Sequence, residues 1–294
     1  MPELPEVETV RRGLAKLVLG RTIAQVVFDW PKGFPNSQTD VNTFVIGAKI
    51  VSVQRRAKVL ILDLDSGYSL IVHLKMTGQL VFTDSQSDDL RFGAGHPSDS
   101  LINNLPDTST RVTITFRDES KLFFNDQRKF GWMKLLPTAT LPDIPFFQKV
   151  GPEPLDASFT ADRFVERFQR RQKTSIKAAL LDQTVIAGIG NIYADESLWA
   201  ARIHPNTRVV DVTNDQLNTL FSELRLVLNT AIKKGGSTNK NYVNAQGKKG
   251  SYMDFANVFR REGQPCLRCQ SSIDKIRVAG RGTHICSNCQ VLPT

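Results

Sequence analysis

The four cysteines of the chain carry its most specific chemical signal. They are Cys266, Cys269, Cys286 and Cys289, spaced C-x2-C-x16-C-x2-C. Two C-x2-C turns each present two thiolates to one tetrahedral ion, which is typical of a four-cysteine zinc site. Disulfides or free thiols are the alternative, but the paired spacing and a cytosolic setting favour zinc. Because four thiolates fill a tetrahedral ion, we expect one structural Zn²⁺ with no open position for a substrate.

The first residues, MPELPEVE, offer a second kind of chemistry. Pro5 and the acids after it fit the first turn of a helix, where a missing N–H costs nothing and carboxylates face the positive end of the helix dipole. That interpretation leaves Pro2 and Glu3 unexplained. If Met1 is removed, Pro2 carries a secondary α-amine, and roughly a tenth of such an amine is unprotonated at pH 7. An amine of this kind attacks an aldehyde carbon to give a cationic iminium, and Glu3 can supply or take protons.

Two glycine-containing segments have features of anion-binding sites. Two glycines of AGIGN frame a tight turn before the helical pattern NIYADESLWAARI, where backbone N–H groups and the Asn191 amide can hold an anion. A plain packing corner explains this turn equally well. Between the cysteine pairs, IRVAGRGTHIC predicts a β-hairpin with Arg281 between two glycines, which permit close approach to another chain. Arg281 is either a phosphate contact or, with Arg277 and His284, part of a solvated basic face.

The composition points to a polyanionic partner. The 294 residues carry a formal net charge of +9, and 40% of them are hydrophobic. The segment from Lys240 to Thr294 holds nine Lys and Arg against three Asp and Glu. A nucleic acid is the first expectation and a membrane surface the second, which the lack of a long amphipathic Lys-rich helix disfavours. No apolar run approaches the ~18 residues that span a bilayer, and no secretory signal is visible, so we expect a cytosolic protein.

The first 136 residues predict one helix followed by a β-sandwich or barrel. The helix carries apolar residues on one face and stops at Gly20. Short apolar runs separated by DSG and TG turns then read as strands in KIVSVQRRAKVLILDLDSGYSLIVHLKMTGQLVFT and in RVTITFRDESKLFFNDQRKFGWMKLL. Residues 84–109 between these stretches are polar and rich in turn formers. We interpret them as a long, mobile loop.

Helical signals dominate after a proline-rich connection, in which we place a domain boundary. Thr160 caps a helix with Phe164 and Phe168 on one face, and TSIKAALLDQ starts another. Thr213 caps a long amphipathic helix that ends at Gly235 and the following glycine. A segment rich in Gly, Ser, Asn and Lys then leads to the cysteines, and the chain shows no internal repeat.

Six motifs occur along the chain in a fixed order: MPELPEVETVRRGL, RRAKVLILDL, HLKMTGQL, NDQRKFG, GIGNIYADE and GRGTHICSNCQ. Together they resemble the bacterial formamidopyrimidine-DNA glycosylases, and the resemblance covers essentially the whole chain. It implies a multidomain α+β fold. The implied parts are an N-terminal catalytic β-sandwich domain with a leading helix at 1–136, a linker at 137–155, a helix-two-turn-helix DNA-binding domain at 156–240, and a damage-recognition loop with a four-cysteine zinc-finger β-hairpin at 241–294.

The resemblance also implies an activity and roles for single residues. The activity is removal of oxidised purines (8-oxoguanine and formamidopyrimidines) from damaged double-stranded DNA, followed by strand cleavage by β,δ-elimination. Pro2 attacks C1′ as a Schiff-base nucleophile, Glu3 is the general acid in base release and ring opening, Lys58 assists base release and β-elimination, and Arg281 grips phosphate and assists δ-elimination. Asn191, Lys173 and Lys177 bind the DNA backbone, and Met76, Arg128 and Phe130 enter the gap left by the flipped base. We further expect a monomer that acts on the nucleoid in the bacterial cytoplasm.

Some features depart from the family pattern or leave alternatives open. The 84–109 segment is long, and Ser109 stands near the place of a histidine often found before the RV strand, while His96 lies upstream. Fine substrate preference depends on the damage-recognition segment STNKNYVNAQGKK. One rival is a glycosylase of the endonuclease VIII type, which prefers oxidised pyrimidines but usually starts with PEGPE. The other is a zinc-containing DNA-binding protein without catalysis, which needs no Pro2 amine, Glu3 or Lys58.

Overall fold

The computed structural model of the chain describes residues 1–85, 91–96, 98–101, 104–236 and 252–293. The chain forms two compact units. Met1–Gln148 with Lys234–Ser251 form the first, and Lys149–Lys233 with Tyr252–Thr294 form the second. Across the described residues, no helix combines the length and the apolar character needed to cross a membrane.

The first unit opens with helix α1, Leu4–Val18, as the sequence predicts. Its inward stripe of Val7, Val10, Leu14 and Val18 has no solvent exposure. Gly20 follows the helix with a φ of 78°, a left-handed conformation that glycine adopts without a Cβ clash. A short helix, α2 (Gln38–Phe44), which we did not anticipate, also belongs to this unit.

Two antiparallel sheets form the β-sandwich of the first unit. The five-stranded sheet has the order β1-β7-β8-β5-β6, and the four-stranded sheet has the order β2-β3-β4-β9. The strands are β1 Ile23–Phe28, β2 Ile50–Arg56, β3 Val59–Leu64, β4 Tyr68–His73, β5 Gly78–Thr83, β6 Arg91–Gly95, β7 Thr110–Phe116, β8 Lys121–Asp126 and β9 Trp132–Pro137. Inward residues of both sheets pack with the apolar stripe of α1 in one core. The predicted helix and sandwich are thereby confirmed.

The interpretation of residues 84–109 as a loop is wrong in part. Strand β6 lies within this range and pairs with β5 from Thr83↔Arg91 to Gln79↔Gly95, and a 3₁₀ turn follows at Asp99–Leu101. Phe92 docks the strand, because its ring packs directly over Gly13 of α1, where any side chain would collide with it. A five-residue strand with two glycines and an alanine has no readable alternation of its own, so only this packing identifies it.

The second unit is helical and carries a C-terminal hairpin. A short helix, α3 Pro145–Lys149, lies at the boundary between the two units. The α-helices of the second unit are α4 Ala161–Gln169, α5 Ile176–Leu181, α6 Asn191–Ala200 and α7 Asn214–Lys233. The predicted caps are confirmed at Thr160, which accepts from the Arg163 N–H, and at Thr213, which exchanges hydrogen bonds with Gln216. The predicted hairpin is also confirmed, as β10 Asp274–Val278 paired with β11 Arg281–Ile285.

Candidate active site and metal centre

The N-terminus of α1 holds the proposed nucleophile and acid in buried positions. Pro2 is buried, and Glu3 is only 3% exposed. Glu3 is the N-cap residue of α1, and it forms a capping box with Glu6: the Glu3 N–H donates to the Glu6 carboxylate across 2.8 Å. Glu3 therefore has a structural role that the sequence pattern did not reveal, in addition to any chemical one.

An arginine ties the turn that carries Lys58 to this same helix. Lys58 and Ala57 form the two-residue turn between β2 and β3, and Ala57 has a φ of 54°. Arg55 donates from Nη1 to the Ala57 carbonyl across 2.8 Å and from Nε to the Glu8 carboxylate across 3.2 Å. This bridge fixes the Lys58 turn against the first half of α1. Glu8 lies one turn and a half beyond Glu3.

The carboxylate of Glu8 is held ionised by its basic neighbours. Burial alone would raise the pKa of Glu8, but hydrogen bonds from Arg11 and Arg12 and the charges of Arg11 and Arg55 outweigh it and bring the pKa to about 2. The ionised carboxylate is therefore present throughout the physiological pH range, and the Arg55 bridge does not depend on pH there.

His73 lies beside Lys58 and was not among the residues singled out from the sequence. It faces Val59 across the β3–β4 ladder, and its Nδ1 accepts the Lys75 N–H across 3.0 Å. Burial, then the charge of Lys75, then the charge of Lys58 lower the pKa of His73 to about 3. The imidazole is thus neutral at physiological pH. The motif HLKMTGQL contains the residue, but nothing in its sequence context separates it from an ordinary strand-end histidine.

Asp126 brings together the three residues that we expect to fill the gap in the DNA. Its carboxylate hydrogen-bonds the Thr77 hydroxyl on one side and accepts the Gly131 N–H across 2.6 Å on the other. Met76 precedes Thr77, and the backbone N–H of Arg128 donates to the Thr77 hydroxyl across 3.1 Å. Two loops that are distant in sequence are therefore fixed to one buried carboxylate.

The side chains on these loops project into solvent. Phe130 is 53% exposed and Met76 is 39% exposed, so neither is a core residue. The Arg128 guanidinium lies over the Phe130 ring at 4.8 Å from its centroid, a cation–π contact that orients both groups. Exposed apolar side chains next to a cation are suited to insertion between stacked bases.

His96 lies near the amino terminus of the chain. Burial lowers the pKa of His96, the charge of the terminal amine lowers it further, and the charge of Asp126 acts in the opposite direction. Its backbone N–H donates to the Gly78 carbonyl across 3.0 Å, at the end of β6. Ser109, in contrast, is buried and hydrogen-bonded to Asp107.

The four cysteines converge on one point in the second unit. The sulfurs of Cys266, Cys269, Cys286 and Cys289 all lie within 4.8 Å of one another, and none forms a disulfide. The pairs Cys266–Cys289 and Cys269–Cys286 are 3.9 Å and 3.4 Å apart. A tetrahedral zinc ion with Zn–S bonds of ~2.3 Å sets sulfurs about 3.8 Å apart, so the cluster fits one such ion.

The hairpin between the cysteine pairs presents Arg281 to solvent. Its two-residue turn consists of Ala279 and Gly280, both with positive φ (49° and 73°), and Arg281 is the first residue of β11. Asn191, the first residue of α6, donates its side-chain amide to the Gly282 carbonyl across 2.9 Å. His284 is not part of a basic surface face, because it is 7% exposed and stacks edge-on against Phe259.

The two lysines expected at the DNA backbone have opposite environments. Lys173 is exposed in the turn between α4 and α5. Lys177 is fully buried, and its Nζ donates to Asp195 Oδ1 and to Thr283 Oγ1, each across 2.6 Å. A direct phosphate contact by Lys177 requires an exposure that it does not have, so that expectation is corrected. Local sequence did not reveal this, because the acceptors lie on α6 and β11.

The damage-recognition segment STNKNYVNAQGKK lies outside the described residues. The residues just beyond it are well fixed. The Glu196 carboxylate, fully buried in α6, accepts the backbone N–H groups of Asn257, Val258 and Phe259 across 2.8 to 3.1 Å.

Three family models match successive parts of the chain. Residues 1–133 match the family model of the formamidopyrimidine-DNA glycosylase N-terminal domain, residues 150–242 its H2TH domain, and residues 263–291 a zinc finger found in FPG and IleRS. The formamidopyrimidine-DNA glycosylase of Chloroflexus aurantiacus is 42% identical over 99% of this chain and 98% of its own length.

Solved structures from Lactococcus lactis share the fold. The complex of an FPG mutant with a Fapy-dG-containing DNA has a TM-score of 0.86 at 33% identity, and covers 99% of this chain and 100% of its own. The complex of Fpg with a DNA containing an abasic site has a TM-score of 0.85 at 33% identity, and covers 98% of this chain and 99% of its own.

The chain combines a β-sandwich that has a capped N-terminal helix, a helix-two-turn-helix region and a four-cysteine hairpin. This combination defines the class of zinc-finger DNA glycosylases that act on damaged DNA. Within that class, the chain belongs to the formamidopyrimidine-DNA glycosylase family. Its cofactor is one structural zinc ion, held by the four-cysteine cluster.

Proposed function

We propose that the protein is a bifunctional base-excision-repair enzyme that removes oxidised purines from duplex DNA and then cleaves the strand as an abasic-site lyase. The observation that carries the proposal is the arrangement at the start of α1, where Pro2 and Glu3 are buried at a capped helix end. The Arg55 bridge supports it further, because it fixes the turn of Lys58 to the same helix.

The chemistry follows from an amine at Pro2. After removal of Met1, the Pro2 nitrogen attacks C1′ of the damaged nucleoside and loses its N–H proton, while the N-glycosidic bond breaks and the base leaves with a proton supplied through Glu3. Protonation of O4′ through Glu3 then breaks the C1′–O4′ bond and opens the sugar ring, and the Pro2 lone pair forms the C1′ iminium. The resulting iminium is an electron sink that acidifies the C2′ protons. Loss of one of them expels the 3′ phosphate by β-elimination, and a further proton loss expels the 5′ phosphate by δ-elimination. Hydrolysis of the iminium releases Pro2.

Lys58 and Arg281 assist separate stages of this sequence. Lys58 lies beside His73, which is neutral at physiological pH, so the imidazole adds no positive charge of its own next to the ammonium. A cation there assists base release and β-elimination by stabilising negative charge that develops in the transition state. Arg281 is exposed on the zinc hairpin, where a guanidinium can grip the phosphate that leaves in δ-elimination.

The partner in this proposal is double-stranded DNA with a damaged base. Complexes of the Lactococcus lactis proteins with Fapy-dG and abasic-site DNA support it, as does the net charge of +9. Lys173, Asn191 and Arg281 contact phosphates. Met76, Arg128 and Phe130 fill the gap left by the flipped base. We expect the enzyme to act as a monomer on chromosomal DNA in the bacterial cytoplasm.

Two assays test the proposal. Borohydride reduction with an oligonucleotide that contains one abasic site should trap a covalent adduct at Pro2, identified by peptide mass spectrometry. Incision should be measured on duplexes with 8-oxoguanine opposite C, T, G or A, beside a thymine glycol duplex. Absence of an adduct would leave a DNA-binding module without lyase chemistry. Preference for thymine glycol would assign an endonuclease VIII-type specificity instead of oxidised purines.

A further inference from the structure

A buried hydrogen-bond chain connects the helices of the second unit to the backbone of Arg281. Thr283 Oγ1 accepts from Lys177 Nζ across 2.6 Å and donates to the Arg281 carbonyl across 3.1 Å. Lys177 and Thr283 are both fully buried. A hydroxyl has one hydrogen to donate. Thr283 donates that hydrogen to the Arg281 carbonyl, and the Lys177 ammonium donates to the hydroxyl oxygen and so holds it in place.

Asp195 completes the chain by joining Lys177 to the backbone of β11. Its Oδ1 accepts from Lys177 Nζ across 2.6 Å, and its Oδ2 accepts the His284 backbone N–H across 3.0 Å. The Asn191 amide holds the carbonyl of Gly282 in addition. Three successive residues of β11, from Gly282 to His284, are therefore each hydrogen-bonded to α5 or α6.

Stability alone is a weak reason for a buried Lys–Asp pair. Taking both charges out of water carries a large desolvation penalty, and well-packed apolar residues of similar volume are often as stabilising. A directional network instead fixes one geometry, because the donors and acceptors must meet at set positions. The strand that this network fixes begins with Arg281, directly after a tight two-residue turn.

We propose that Lys177, Asp195 and Thr283 are positioning residues for Arg281. By fixing the backbone from which the Arg281 side chain projects, they set where its guanidinium meets a DNA phosphate. This inference rests on the role proposed above for Arg281 in δ-elimination. Loosening the network should therefore impair the second cleavage more than base removal, although none of the three side chains touches the DNA.

The test compares Thr283→Val with Thr283→Ser in the zinc-loaded, full-length protein. Valine keeps the shape of threonine but removes both hydrogen bonds, whereas serine keeps the hydroxyl. On an 8-oxoguanine duplex, Thr283→Val should raise the ratio of β- to δ-elimination product several-fold, while base removal stays within about twofold of the wild type. Thr283→Ser should restore the wild-type ratio. Zinc content and the melting temperature report whether each variant is folded.

Asp195→Asn is the second variant, for the case in which Thr283→Val does not retain zinc. It keeps an acceptor oxygen for the His284 N–H but removes the charge that holds Lys177, and it should change the product ratio in the same direction. The proposal is overturned if the ratio stays unchanged in the folded variant, or if base removal and δ-elimination fall by the same factor.

Arg281→Ala, measured in parallel, separates this proposal from the function on which it rests. If Arg281→Ala leaves the ratio of β to δ product unchanged, the proposed role of Arg281 in δ-elimination is wrong, and the positioning proposal is overturned with it. If Arg281→Ala changes the ratio while Thr283→Val and Asp195→Asn do not, the role of Arg281 stands and only the positioning proposal is overturned.

Discussion

Glu3 and Glu6 close the first helix reciprocally: the Glu3 N–H donates to the Glu6 carboxylate across 2.8 Å, and the Glu3 carboxylate faces the Glu6 N–H in return. The pair holds Glu3 next to Pro2 with only 3% of its surface exposed. A substitution at Glu3 therefore has two separable effects, one on proton transfer and one on the helix cap.

Glu3→Gln should separate base removal from lyase activity. Glutamine keeps a carbonyl oxygen for the capping box but cannot donate or accept the proton. Removal of 8-oxoguanine should fall by the ~10²–10⁴ typical of a lost general acid, while cleavage of a preformed abasic site keeps a substantial part of its rate. Single-turnover rates on the two substrates measure this. Protein that retains Met1 is the control and should lose both activities. Equal losses in Glu3→Gln would mean that Glu3 positions Pro2.

Lys58→Met should raise the pKa of His73. In the wild type, burial, Lys75 and Lys58 together lower that pKa to about 3. Removing the Lys58 charge takes away one of the three causes, but burial and Lys75 remain, so the pKa should rise and stay below the usual ~6.5. NMR titration of the His73 ring carbons measures the shift without reference to activity. His204, whose pKa burial lowers in the other unit, should titrate identically in both proteins. An unchanged pKa of His73 would mean that the Lys58 charge does not act on the imidazole, and the prediction would be wrong.

Phe130→Ala should impair extrusion of a damaged base more than cleavage of an abasic site. The ring is 53% exposed, so its loss should leave the melting temperature nearly unchanged. An apolar wedge offsets part of the unstacking cost, which is a few kcal/mol. Losing about 1.4 kcal/mol of that stabilisation would slow extrusion of the base about tenfold. Val51→Ala, with a parent side chain 52% exposed in the same unit, is the matched control and should behave as wild type. Similar losses on both substrates would contradict a wedge role.

Cys266→Ala should release zinc and weaken DNA binding while the first unit stays folded. The hairpin is too short to bury a core of its own, so metal ligation should supply its folding free energy. Metal analysis, circular dichroism and fluorescence anisotropy with labelled duplex measure the three quantities. Ser287→Ala, between the second cysteine pair, is a control that leaves all four ligands in place. Full DNA affinity in metal-free protein would refute the prediction.

Binding to duplex DNA should weaken steeply with salt. Each phosphate contact contributes about −0.9 to the slope of log K against log salt concentration. Arg281→Ala and Lys173→Ala should each reduce the steepness by about one unit, because both parent side chains are exposed cations. Exposed Lys16→Gln near the end of α1 tests for a general charge effect. If Lys16→Gln changes the slope as much as the other two substitutions, the salt dependence does not come from phosphate contacts specific to Lys173 and Arg281.

Elements with a strong local signal were predictable from the sequence. α7 follows a 3.6-residue apolar pattern between a threonine cap and two glycines, and the structure places it at Asn214–Lys233. The cysteine spacing likewise predicts one metal site, because two C-x2-C turns can converge with little other information. In both cases the residues that decide the structure are close together in the chain.

Other features depend on partners that are remote in sequence. Asp126 meets Thr77 from 49 residues away, and this contact sets the loops of Met76 and Arg128 side by side. Strand β6 exists because Phe92 packs over Gly13 and its backbone pairs with β5. No local sequence pattern in these segments predicts either of the two contacts.

The sequence by itself determined the zinc ligands, the first helix, the succession of a β-sandwich, helices and a zinc hairpin, and the family, because each depends on residue type and short-range spacing. Only the tertiary structure decided which of these residues reach solvent. Lys173 and Lys177 are four positions apart and look alike in the sequence, yet the first is exposed and the second is buried. The difference arises because Thr283, 106 residues away, meets Lys177 in the interior, and a buried ammonium needs such partners to offset its desolvation.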